Sequence, residues 1–132
     1  MRRCLSIAIG LWLAAVPAVA HHSFAAEFDA NRPITLKGTV TKTEWINPHS
    51  WVYVDVKSPD GKVVNWAIEL GAPNSLLRLG WSKNSLPVGS EIVVEGYSAK
   101  NGSSMANASN ITTPDGKRMF AGTSGGGAPT DR

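Results

Sequence analysis

"WVYVDVKSPDGKVVNWAIEL", residues 51–70, decides the fold class. Val52, Val54 and Val56 alternate with Trp51, Tyr53 and Asp55. Side chains that repeat with a period of two stand on opposite faces of a strand. "SPDGK" then breaks the pattern. Proline fixes one backbone angle and Asp-Gly tolerates a tight reversal, so the break predicts a hairpin turn. "VVNWAIEL" resumes the alternation, with Val64, Trp66, Ile68 and Leu70 on one face and Asn65 and Glu69 on the other.

The same period extends outward in both directions. Upstream, "ITLKGTV" sets Ile34, Leu36, Gly38 and Val40 against Thr35, Lys37, Thr39 and Thr41. The β-rich run continues to Trp45 and Ile46, where "NPHS" interrupts it because Pro48 cannot donate to a ladder. Downstream the period changes. "APNSLLRLGW" predicts a short helix: Pro73 suits its first turn, Leu76, Leu77 and Leu79 form an apolar stripe, and Gly80 ends it. "LPVGSEIVVEGYS" predicts a turn and a fourth strand. "NASNITTPDGKRMF" predicts a fifth strand and a second Pro-Asp-Gly turn. Strand-strand-strand-helix-strand-strand is the order of a five-stranded OB-type barrel, whose helix sits between strands three and four. The expected fold is therefore mainly all-β, with that helix as the exception. Its expected core is Leu36, Val40, Val52, Val54, Trp66, Ile68, Leu76, Leu79, Ile92 and Val94.

The ends of the chain set the compartment. Arg2 and Arg3 precede the apolar run "CLSIAIGLWLAAV", which is short for a membrane span, and Ala18-Val19-Ala20 offers a small-x-small cleavage pattern. Residues 1–20 read as a signal peptide cleaved after Ala20, and the expected location is the periplasm with no stable membrane anchor. Residues 21–33 read as an amino-terminal arm, 34–120 as the barrel domain and 121–132 as a disordered tail, because "AGTSGGGAPTDR" has almost nothing to bury. Cleavage removes two of the 13 basic residues and none of the 10 acidic ones, which leaves a net charge of +1. A nearly neutral mature chain supplies no basic groove for nucleic acid. The single cysteine, Cys4, leaves with the signal, so disulfides, thiolate zinc sites and cysteine nucleophiles are excluded.

"HHSF" after the signal, "GTVTKTEWINPHSW", "NWAIELGAP", "LLRLGW", "VGSEIVVEGY" and "DGKRMF" together resemble a family of short exported bacterial proteins catalogued as a domain of unknown function. The resemblance covers roughly residues 21 to 120. It implies a small periplasmic β-barrel domain, and it brings no established catalytic residues to carry over.

Three histidines are the candidates for chemistry. With cleavage after Ala20, His21 becomes the amino terminus, and its α-amine and ring nitrogen can chelate one ion. A second imidazole from elsewhere completes an arrangement suited to copper, which heads the divalent affinity series. His21, His22 and His49 are therefore the candidate metal ligands and copper the candidate cofactor. The plainer reading makes His21 and His22 solvated arm residues and His49 a part of the turn. Met105 and Met119 are weaker candidates as thioether ligands. Trp51, Tyr53, Asn65 and Glu69 form a candidate ligand or partner face, since OB barrels use the face of strands two and three. Glu44, Asp55 and Glu69 lie near that region, but nothing in their spacing marks an acid–base pair. Phosphate loops, nucleophile elbows and Asp-rich calcium loops are absent from the sequence.

The leading expectation is a non-enzymatic periplasmic barrel that binds a small ligand, with copper first among candidates. The second is a metal-free accessory module that docks on another exported protein through its aromatic face. The third is a small copper redox enzyme.

Overall fold

The computed structural model describes residues 24–122 of the chain. The expected signal peptide, His21, His22 and the tail from residue 123 lie outside the described residues. A short helix α1, Phe24–Glu27, leads into β1, Phe28–Glu44. There follow β2, Trp51–Lys57; β3, Val63–Glu69; α2, Pro73–Arg78; β4, Glu91–Ala99; β5, Met105–Thr112; and β6, Arg118–Phe120. The strands run in the order β3-β2-β1-β4-β5-β6, and β3 also pairs with β5. That extra pairing, parallel where the others are antiparallel, closes β1, β2, β3, β5 and β4 into a barrel-like ring. This is the connectivity expected of a five-stranded OB-type barrel with a helix between strands three and four. β6 is a sixth, short strand on β5, formed because the second Pro-Asp-Gly turn folds the chain straight back.

β1 makes the closure work. Its 17 residues pair with β4 at Phe28 and from Pro33 to Thr39, and with β2 through Gly38 to Glu44, so one strand serves two neighbours around a bend. A register shift between Val40 and Lys42 marks the bend, as bulges do in barrels. Gly38 lies where both partners meet, and a Cβ there would stand 2.3 Å from the Asp55 carbonyl oxygen. The strand begins at Phe28, inside the segment expected as an arm. Phe28 is buried opposite Ala99, and the polar run up to Arg32 rides on the outside. At the other end Ala121 and Gly122 are also buried. Ala121 donates to the Ser109 carbonyl and its own carbonyl accepts from Gly71, so the barrel extends two residues past the expected boundary.

Eight of the ten expected core residues are buried: Leu36, Val40, Val52, Val54, Ile68, Leu76, Ile92 and Val94. Trp66 is half-buried against them. Leu79 corrects the expectation, because it is 48% exposed. It caps α2, and Gly80 follows with φ of 94°. Trp81 then donates its N–H to the Leu76 carbonyl, and Gly80 donates to Leu77. This is a Schellman ending, in which the residue two past the cap packs back on the helix. Trp81 thus takes the core place that the helical stripe assigned to Leu79, and its indole N–H reaches the Phe120 carbonyl at 2.8 Å. Leu77, also in the expected stripe, faces out at 52% exposure.

Val54 is the most direct test of the inner face. It is completely buried between Val40 and Trp66 in register. Val54→Ala is expected to cost about 1–3 kcal/mol through lost burial and incomplete collapse. A urea midpoint equal to the parent's would mean that the strand face is not core.

Candidate functional site

The outer face of the ring carries a row of side chains in register. Glu44 pairs with Trp51, Trp51 with Glu69, Glu69 with Asn107, and Asn107 with Tyr97. Paired residues point to the same side of a sheet, so these five share the outside although they come from five strands. The middle of the row is nonetheless buried: Glu69 is 8% exposed and Asn107 6%. The Asn107 amide donates to Glu69 Oε1 at 3.1 Å.

His49 joins this row from the β1–β2 loop. The β2–β3 ladder continues one step beyond the strands, through Ser50 N–H to the Gly71 carbonyl and Leu70 N–H to the Ser50 carbonyl. That step holds His49 beside Leu70. Its Nδ1 lies 3.2 Å from the Leu70 carbonyl oxygen and 3.9 Å from Glu69 Oε1. A carbonyl oxygen can only accept, so Nδ1 is the donor of this contact, which leaves Nε2 as the ring nitrogen that can offer a lone pair. The peptide bond between Asn47 and Pro48, just before it, is cis. Two buried polar atoms flank the loop, Trp45 Nε1 and Ser50 Oγ, and neither has a hydrogen-bond partner among the described residues.

Further along the face the chemistry changes. Tyr53 donates its hydroxyl to Glu44 Oε2 at 3.2 Å, and Lys42 pairs with Glu44 while its Nζ stands 5.3 Å from the centre of the Tyr53 ring. The Lys42 hydrogen bond holds the Glu44 carboxyl below its ordinary range. Burial, followed by the Glu44 charge, pushes the Tyr53 phenol up. Asn65 donates to Asp55 at 2.8 Å and to Thr41 Oγ1 at 3.1 Å. Trp51, Tyr53, Asn65 and Glu69 thus share one face, but Glu69 belongs with His49 at one end and Asn65 with Asp55 at the other. Glu44, Asp55 and Glu69 each engage different partners.

Among the described residues no group of three or more histidine, cysteine or acidic side chains is set to hold a metal. His49 and Glu69 are a pair. Met119 packs against the core, and Met105 lies opposite Ala67 on β5. A cavity of about 340 Å³ opens elsewhere, lined in part by Gly80, Asn84, Asp115 and Lys117. Asn107 is the site residue that sequence reasoning missed. Its only signal was a polar residue in a β-rich run, and its partner depends on a parallel pairing across 38 residues.

These features define a small OB-type barrel with a buried polar cluster where the β1–β2 loop meets β3 and β5. The chain belongs to a family of unknown function, DUF6152, whose family model matches residues 10–108. No curated protein and no solved structure matches it. Among the described residues no helix is long and apolar enough to cross a membrane.

Proposed function

We propose that this chain is an exported, periplasmic, non-enzymatic barrel that binds Cu(II) through His49 and the amino terminus of a mature chain beginning at His21, with His22 as a further ligand. The observation that supports this reading is the orientation of His49. Its Nδ1 is engaged by the Leu70 carbonyl and stands near a buried carboxylate. That is the outer-shell arrangement that fixes a metal-binding imidazole and raises the basicity of its free nitrogen. The first described residue lies on the same face. The described chain begins at Phe24, whose ring packs edge-on against Tyr97 with centroids 5.4 Å apart, and Tyr97 is part of the outer row.

The test is a Cu(II) competition titration of the chain beginning at His21, repeated with its α-amine acetylated. Acetylation removes the α-amine from chelation, so affinity should fall and the EPR spectrum should lose a nitrogen. Affinity should also fall on acidification, since protons compete for the same lone pairs. Equal affinity for the two chains would defeat the chelate. Processing is checked separately. Intact-mass measurement of the exported protein is expected to give a chain beginning at His21, and any other start removes the chelating terminus and the copper reading with it.

A further inference from the structure

We propose that the cavity between the α2–β4 loop and the β5–β6 turn binds a small zwitterion of the free α-amino acid type, with its ammonium on Asp115 and its carboxylate on Lys117 and Asn84. The site uses none of the residues of the copper reading and stands apart from it.

The sequence builds one turn twice. Ser58-Pro59-Asp60-Gly61-Lys62 joins β2 to β3, and Thr113-Pro114-Asp115-Gly116-Lys117 joins β5 to β6. Both close in the same way. The first residue donates its N–H to the carbonyl of the lysine, and the glycine N–H donates back to the first carbonyl. The aspartate Oδ1 accepts from the first hydroxyl and from the lysine N–H. The turns differ in their charges. Lys62 Nζ reaches back to Asp60 Oδ2 at 3.9 Å. Lys117 makes no ion pair among the described residues, and Asp115 Oδ2 has no hydrogen-bond partner among them. The Thr113 hydroxyl, followed by the Lys117 N–H, holds the Asp115 carboxyl below its ordinary range.

Asp115 and Lys117 both line the cavity of about 340 Å³, a size that suits a small ligand. Asn84 and Pro87 line it from the α2–β4 loop, and Met119 adds apolar surface from β6. The loop is knitted before any ligand arrives. Ser82 N–H donates to Ser85 Oγ at 2.9 Å, Asn84 N–H donates to Ser82 Oγ at 3.2 Å, and Leu86 is buried in the core. The Asn84 side-chain amide, like the Lys117 ammonium, has no partner among the described residues. The cavity therefore presents two fixed charges of opposite sign that do not neutralise each other. A simple anion at Lys117 is repelled by Asp115, and a simple cation at Asp115 is repelled by Lys117. A ligand that carries both signs satisfies both at once. Exposed charge pairs each contribute little, so the affinity is expected to be modest and to fall as salt is added.

The experiment is an amide NMR titration of the metal-free chain beginning at His21. It is run at about pH 6, where an α-amine is protonated and a carboxylate is ionised. The probes are L-leucine, glycine, L-leucinamide, which lacks the carboxylate, and N-acetyl-L-leucine, which lacks the ammonium. L-leucine is expected to move the signals of Asn84, Asp115 and Lys117 to saturation. Each one-ended analogue should bind at least about fivefold more weakly. Asp115→Asn keeps an oxygen for the Thr113 hydroxyl and the Lys117 N–H but carries no charge, and Lys117→Gln removes the ammonium. Each should weaken L-leucine by a similar factor, while Asp60→Asn and Lys62→Gln in the other turn leave it unchanged. An analogue that binds as tightly as L-leucine overturns the proposal. So does the lack of a saturable shift with both L-leucine and glycine. The analogue comparison needs no substitution, so it decides the matter even if a variant fails to fold.

Discussion

Replacing Gly96 by alanine is expected to leave little folded protein. Gly96 lies on β4 opposite Ala108, where the β4–β5 register shifts, and it is buried. A Cβ there would stand 1.9 Å from the Asn107 carbonyl oxygen, 2.8 Å from its carbon and 3.0 Å from the Ala108 Cα. All three are backbone atoms, so no side-chain rotation relieves the overlap. Relief requires β4 and β5 to separate, and those strands carry Val94, Ala106, Ala108 and Ile111 into the core with no exposure. The expected cost exceeds about 4 kcal/mol, in the tail of single-substitution effects. Set against a stability of about 5–15 kcal/mol for a domain, that is a large share. Gly61→Ala is the control. Gly61 has φ of 85°, yet nothing lies within 4 Å of its added Cβ. Only the left-handed backbone opposes it, at about 1–2 kcal/mol. Urea melts in which both variants show the same midpoint would refute the steric account. The change also reaches the candidate site, because the displaced residue is Asn107, whose amide holds Glu69.

The fold was legible where the information is local. Alternation in 34–40, 51–57 and 63–70 assigned the inner faces of β1, β2 and β3. The two Pro-Asp-Gly turns placed the reversals: Ser58 donates to the Lys62 carbonyl across one, and Thr113 to the Lys117 carbonyl across the other. The start of β1 was illegible because Asp29 to Pro33 contains no apolar alternation. β4 holds the two ends of this stretch, Phe28 opposite Ala99 and Pro33 opposite Tyr97, across an irregularity in the ladder, and no local pattern announces that. Leu79 was misplaced for a related reason. Helical spacing puts it on the stripe, but the cap geometry after Arg78 turns the chain so that Trp81 is the one buried.

The site divides in the same way. His49 stood out as the only imidazole beyond the terminal pair, and the break at Pro48 located it in a loop. Strand alternation correctly set Glu69 and Trp51 on the outside. Alternation then implies solvent for Glu69, and here it fails. Asn107 covers the carboxylate from β5, which joins β3 only when the barrel closes. Nothing in the sequence near residue 69 encodes that contact. The polar cluster is a product of ring closure, and sequence reasoning recovered its parts without their meeting.

His49→Ala is expected to weaken Cu(II) binding on the order of 100-fold, about 2.7 kcal/mol. In the proposed site a chelate at His21 would supply two nitrogens from one residue, and the third would come from a group already held in place. His49 is held: its Nδ1 is committed to the Leu70 carbonyl, so the ring pays little orientational entropy when Nε2 meets the ion. Removing the ring should leave the terminal chelate as weak residual binding, and the EPR spectrum should show one nitrogen fewer. Alanine alone would confuse two roles, since it also deletes the hydrogen bond that ties the β1–β2 loop to β3. His49→Asn separates them. An asparagine amide can place its N–H near the position of Nδ1 and donate to the Leu70 carbonyl, but it has no counterpart of Nε2. The asparagine protein should therefore melt closer to the parent than the alanine protein does, while losing copper affinity as fully. If both variants bind copper as tightly as the parent with unchanged spectra, the ion sits on a terminal peptide alone. The Asn47-Pro48-His49 segment is then a turn that organises the barrel's end. In that case the half-buried Trp51 and Tyr53 on the same face become the better place to look for a protein partner.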